Sequence, residues 1–167
     1  FQLVMSDNVQ GAVLADYALA GADQQKVDAF THRGAFVHML FKLKGLPHYS
    51  AHLNKLNNIR GAKFGGAMVL DPPQLQQSYE ACLRGELPEH IPLAFQIPSV
   101  MDDSLAPPGF HIATAYGFYF PCEAEKSLRG KLRDAMAERI IEHISVHMPD
   151  FRSLIVDQAI FSSDHFA

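Results

Sequence analysis

A chain of 167 residues, 48% of them hydrophobic and 19% charged, has the makings of one globular domain with its own core. A formal charge of −4 with no clustered Lys/Arg stripe speaks against nucleic acid as a partner, and no run of about eighteen apolar residues is present to span a membrane as a helix. Two cysteines without CxxC spacing, Cys82 and Cys122, exclude a disulfide framework and point to a reducing compartment, the cytoplasm or the mitochondrial matrix.

Residues 1–33 read as a flanking segment, with a short Ala-rich helix expected over Asp7–Leu19 and a break at Gly21. The main domain is expected over residues 34–167. It opens on a strand in which Ala35, Val37, Met39, Phe41 and Leu43 alternate with Phe36, His38, Leu40 and Lys42, ended by Gly45 and Pro47. The polar, Asn-rich stretch His48–Lys63 reads as a surface excursion, and Phe64–Leu70 as a second strand. Asp71 and Pro72 are the cap and first residue of a helix whose apolar stripe is Leu75, Tyr79 and Leu83, ended by Gly85. Ile91–Val100 reads as a strand interrupted by Pro92 and Pro98, followed by a turn-rich loop over Asp102–Gly109.

Phe110–Phe120 gives the clearest strand. One face carries Ile112, Thr114, Tyr116, Phe118 and Phe120; the other carries His111, Ala113, Ala115, Gly117 and Tyr119. Small residues let a helix pack close on the second face, which leaves the aromatic face to line something else. That helix is Glu123–Met148, with Leu128, Leu132, Met136, Ile140 and Ile144 at spacing four, stopped by Pro149 before a last strand over Leu154–Phe161. The order predicts an α+β fold, a mixed or antiparallel sheet of about five strands with helices on one face.

Chemical motifs are sparse. No GxGxxG follows a strand, and Gly61, Gly65 and Gly66 lack the GK[ST] ending of a phosphate loop, so they read as a turn with close backbone packing. His143 and His147 stand four apart on the long helix, but the glutamate of HExxH is missing because Glu142 precedes His143. His48 and His52 repeat that spacing in a loop. Ser99 has Asp102, Asp103 and His111 nearby without a GxSxG elbow. Cys82 reads as a small core residue.

Several segments, in order, resemble one family. Lys42-Leu43-Lys44-Gly45-Leu46-Pro47 looks like a strand-then-LP element, and Tyr79, Gly85, Pro88 and Pro92 like a helix with a G-x-x-P exit. The most specific block runs from Ile97-Pro98-Ser99 through Asp102 and Ser104 to Leu105-Ala106-Pro107-Pro108-Gly109-Phe110-His111. Pro149-Asp150-Phe151 and the strand to Ser163-Asp164 come after it. Together they resemble the phytoene-dehydrogenase-like FAD-dependent oxidoreductases, in the branch that includes the pyridine nucleotide-disulfide oxidoreductase domain-containing protein 2. The resemblance covers most of the chain and implies the substrate-side region of a larger flavoenzyme acting on an apolar substrate. Its flavin domain would be the missing partner, and peripheral membrane contact is possible for the parent protein.

The departures are an absent GxGxxG, an absent flavin-closing segment, Ser163 in place of the family's proline, and Ser6–Gly11 standing too near the first strand. They imply a fragment that would bind no FAD by itself, although the parent would carry it. Under that reading Phe36, His38, Tyr116, Phe118 and Phe120 line the substrate pocket, and no residue is assigned as catalytic, cofactor-binding or metal-binding. A stand-alone binding module for an apolar ligand or a partner protein, without redox activity, is the alternative.

Overall fold

The computed structural model describes residues 35–121 and 124–162. The chain divides into two units, Phe1–Arg33 and Gly34–Ala167, and the described residues all belong to the second. The helix expected over Asp7–Leu19, the Ser6–Gly11 element, Cys122, Ser163 and Asp164 lie outside the described residues.

The fold is an α+β layer pair, a five-stranded antiparallel sheet with helices on one face. The strands are β1 (Ala35–Leu43), β2 (Gly65–Met68), β3 (Leu93–Gln96), β4 (His111–Phe120) and β5 (Ile155–Phe161), in the order β2-β3-β4-β1-β5. Period-two alternation sends Val37, Met39, Phe41 and Leu43 of β1 into the core at no more than 1% exposure. Leu93 and Phe95 of β3 and Ala113 and Ala115 of β4 join them on the same face.

Helix α1 (Pro72–Leu83) follows β2, and helix α2 (Lys126–His147) follows β4. Met136, Ala137, Ile140, Ile141 and Ile144 of α2 complete the core. The small-residue face of β4 is what admits this helix: a Cβ on Gly117 would lie 2.6 Å from Ile140 Cδ1. Of the predicted stripe, Met136, Ile140 and Ile144 are buried, whereas Leu128 remains 45% exposed near the helix start. A single helical turn, α3 (Phe151–Leu154), brings Phe151 into the core before β5. Phe151 meets Phe41 and Phe95 edge-on, at centroid distances of 5.2 and 5.4 Å. Such pairs add about 0.5–1.5 kcal/mol each beyond the area they bury.

Three local expectations need correction. In α1 the capping box forms as the sequence suggests, with Asp71 accepting from Gln74 N–H at 2.9 Å. The buried side, however, is Ser78, Ala81 and Cys82, while Leu75 and Leu83 face solvent. Polar anchors set this rotation. Ser78 Oγ lies 2.7 Å from the His90 carbonyl, and Cys82 Sγ lies 3.3 Å from the Phe120 carbonyl. The stretch Ile91–Val100 is strand only at Leu93–Gln96, because Pro92 and Pro98 confine the ladder and Pro98–Val100 forms a 3-10 turn. Two 3-10 helices, Ala51–Asn58 and Arg60–Phe64, run through the His48–Lys63 excursion and one residue past it, so the strand expected over Phe64–Leu70 is confined to Gly65–Met68.

The expected placement of Phe120 is corrected as well, and this bears on the site. Ala35 pairs with Phe120, but Phe36 pairs with Phe118, so Tyr119 is an extra residue in β4. Tyr119 takes φ 65, the left-handed conformation found at β-bulges. Beyond it the alternation inverts, and Phe120 enters the core at 0% exposure instead of joining Tyr116 and Phe118.

Candidate functional site

The sheet face opposite α2 carries Phe36, His38, Leu40 and Lys42 of β1 beside Phe118, Tyr116, Thr114 and Ile112 of β4, paired in that order. Ala94 of β3 and Phe161 and Ala159 of β5 extend the same face. Phe36, Leu40 and Phe118 are 40%, 37% and 42% exposed, so among the described residues no layer covers them fully. Four of the five pocket residues expected from sequence therefore share one surface, and Phe120 lies on the other side of the sheet.

Within this face the rings are ordered. His38 stacks on Tyr116 with centroids 4.1 Å apart and planes 6° from parallel, and Phe36 meets Tyr116 edge-on at 5.7 Å. Thr114 fixes the imidazole, its Oγ1 lying 2.7 Å from His38 Nε2. Every buried side-chain nitrogen or oxygen among the described residues has a hydrogen-bond partner. His38 Nδ1 and the Tyr116 hydroxyl have none among those residues, so both reach the open surface. The face thus offers a broad apolar platform with two hydrogen-bonding points at its centre. Lys42 closes one end, its Nζ 4.7 Å from the Phe110 ring centroid.

Burial holds the His38 imidazole below its ordinary 6.5 and keeps it neutral at neutral pH. His111 is also lowered by burial, against a smaller upward pull from Asp103. His143 is lowered by burial and by His90, with Glu142 opposing. For each of these histidines the unfolded chain takes up its proton first as pH falls. Their contribution to stability is complete above about pH 6.5 and is lost progressively below it. The urea midpoint is expected to fall between about pH 7.5 and about pH 5.5; a flat or rising midpoint would contradict these environments.

The remaining sequence candidates resolve differently. Ser99 and His111 do meet, with Oγ 3.0 Å from Nδ1. The serine is 2% exposed, and its Oγ accepts the Ile112 N–H at 3.1 Å, which makes it a strut at the start of β4. Asp102 is occupied by Ser104, whose N–H and hydroxyl both donate to Oδ1. Asp103 acts on His111 through its charge, with no hydrogen bond between them among the described residues, so a relay from carboxylate through imidazole to serine is not assembled. Among the described residues no group of three His, Cys, Asp or Glu side chains is placed to hold a metal, and His143 and His147 gain no third ligand. Cys82 is buried at 2% exposure.

The described residues form no dinucleotide site of the strand–turn–helix kind. A dinucleotide pyrophosphate needs a glycine-rich turn from a parallel strand into a helix N-terminus, and every described strand pairing is antiparallel. Gly61 lies in a 3-10 helix. Gly65 packs against β3, where a Cβ would meet the Phe95 carbonyl at 2.1 Å. Among the described residues no helix is long and apolar enough to cross a membrane. Compared with models of known protein families, the chain matches none.

Proposed function

We propose that the open aromatic face of the sheet is the wall of a binding site for an elongated apolar substrate, and that the chain serves an FAD-dependent oxidoreductase of the phytoene-dehydrogenase-like kind as its substrate-side region. The observation that carries the binding half is the uncovered set Phe36, Leu40 and Phe118 around the half-buried Tyr116, backed by a fully packed core on the other face. Large apolar side chains left in water at the centre of a sheet mark a surface meant to be covered. The oxidoreductase half rests on the resemblance of the Ile97–His111 block and its neighbours. In that reading the flavin is held outside the described residues and carries the electron transfer. This chain's part is to orient the substrate and exclude water.

Two measurements test the halves separately. Titration with cis-parinaric acid, a fluorescent polyene, is expected to give a saturable rise in emission; no saturation removes the binding half. The natural protein, purified with whatever further chain it carries, is expected to show flavin absorption that bleaches on anaerobic addition of substrate. A colourless protein that still takes up the polyene would remove the redox assignment and leave a binding module.

A further inference from the structure

We infer that the cleft at the Leu105–Gly109 turn is a second ligand site, suited to a small organic anion with an apolar ring or chain, and separate from the open sheet face. Two cavities, of about 310 and 380 Å³, share Ser99, Asp103 and His111 as their common wall. The first continues over Ala106, Pro107, Pro108 and Phe110. The second continues over Leu46, Asn57, Asn58 and Lys63. One lobe is thus walled by prolines and a phenylalanine, the other by two asparagines and a lysine beside Leu46 and Val100, with His111 between them.

The imidazole presents its second nitrogen to this cleft. Ser99 Oγ already accepts the Ile112 N–H, so its own hydrogen is left for an acceptor. His111 Nδ1 at 3.0 Å is nearer than the Ile112 carbonyl at 3.4 Å. In the tautomer where Nδ1 accepts from that hydroxyl, the neutral ring carries its proton on Nε2. Nε2 has no protein partner among the described residues, and since no buried nitrogen there goes unpaired, it is open to the cleft. Burial favours this neutral form, and Asp103 opposes it less strongly.

The charges decide the ligand's sign. Lys63 makes no ion pair among the described residues, and it lines the same lobe as His111. Asn57 is used internally: its oxygen accepts from Tyr49 N–H, and its amide donates to Tyr49 O and to Asn54 Oδ1. Asn58 adds a further amide to the wall. A carboxylate placed here meets a cation and an imidazole N–H, both charge-assisted partners. Asp103 is the carboxylate of the shared wall, and its exposure to solvent screens both its attraction for a ligand ammonium and its repulsion of a carboxylate. The proline-lined lobe then receives the apolar end.

The test uses three probes of one shape: 3-phenylpropionate, 3-phenylpropanol and 3-phenylpropylamine. Binding is followed on the His111 ring and Ile112 amide resonances by NMR. The acid is expected to give saturable shifts at both and to bind about tenfold tighter than the alcohol. Lys63→Gln, a change on a partly exposed side chain, is expected to erase that preference while leaving alcohol binding unchanged. Equal or tighter binding of the alcohol or the amine would overturn the anion assignment. An acid preference that survives Lys63→Gln would overturn the role of Lys63, and the absence of saturable shifts with all three probes would remove the site.

Discussion

Phe120→Ala is expected to cost about 3–5 kcal/mol of folding stability, whereas Phe118→Ala, two residues earlier on β4, is expected to cost less than about 1 kcal/mol. The contrast follows from the bulge at Tyr119. Phe120 is 0% exposed and its neighbours close over it, so truncation leaves a cavity that a tightly packed core fills poorly. Phe118 is 42% exposed, and its loss removes surface contact without opening a void. Simple alternation assigns both rings to one face and would give them similar costs. Urea unfolding of the two variants separates the accounts, and equal losses would place the bulge elsewhere.

Gly117→Val is expected to destabilise by about 1–3 kcal/mol, the usual cost of forcing extra carbon into a filled core. A Cβ at this position lies 2.6 Å from Ile140 Cδ1 and 3.1 Å from Met136 Cε. Both side chains are themselves 0% exposed, so neither has free space to move into. The strain should be shared between the two elements and therefore be non-additive. Ile140→Ala alone loses burial, but combined with Gly117→Val it also relieves the clash, so the double variant should be more stable than the two single losses summed. Simple additivity would mean that α2 does not approach β4 at Gly117.

Much of this architecture is legible in the sequence because its signals are periodic. The alternation through β1 and the split of β4 into a small-residue face and an aromatic face predict which side α2 covers. Asp71-Pro72-Pro73 likewise marks the start of α1 with a cap that forms as expected. The misreadings of α1 and of Phe120 share one cause, since each depends on a hydrogen bond or a backbone irregularity that apolar spacing does not encode. Ser78 turns into the protein because the His90 carbonyl, twelve residues away, accepts its hydroxyl. Phe120 turns into the core because Tyr119 adopts a left-handed backbone without being a glycine. The Ser99–His111 contact spans a proline-rich turn whose geometry, not its composition, brings the two together. Of the open face, Phe36, His38, Tyr116 and Phe118 are found from strand period alone. Strand period does not reveal Thr114 as the partner of His38, because the register that sets Leu40 opposite Thr114 is fixed only when the two strands pair.

Polyene binding by a Phe36→Asp/Phe118→Asp variant tests most directly whether the open face is the binding wall. Phe36 and Phe118 are 40% and 42% exposed, so covering what remains of each ring is worth roughly 0.6–1.2 kcal/mol, and a buried carboxylate near the polyene would add a desolvation cost. The affinity for cis-parinaric acid is therefore expected to fall at least about tenfold. Val146→Asp, on the exposed side of α2, serves as the control for added charge and is expected to leave affinity unchanged. The contradicting result is a folded double variant that binds the polyene as tightly as the parent chain, which would place the apolar site off this face.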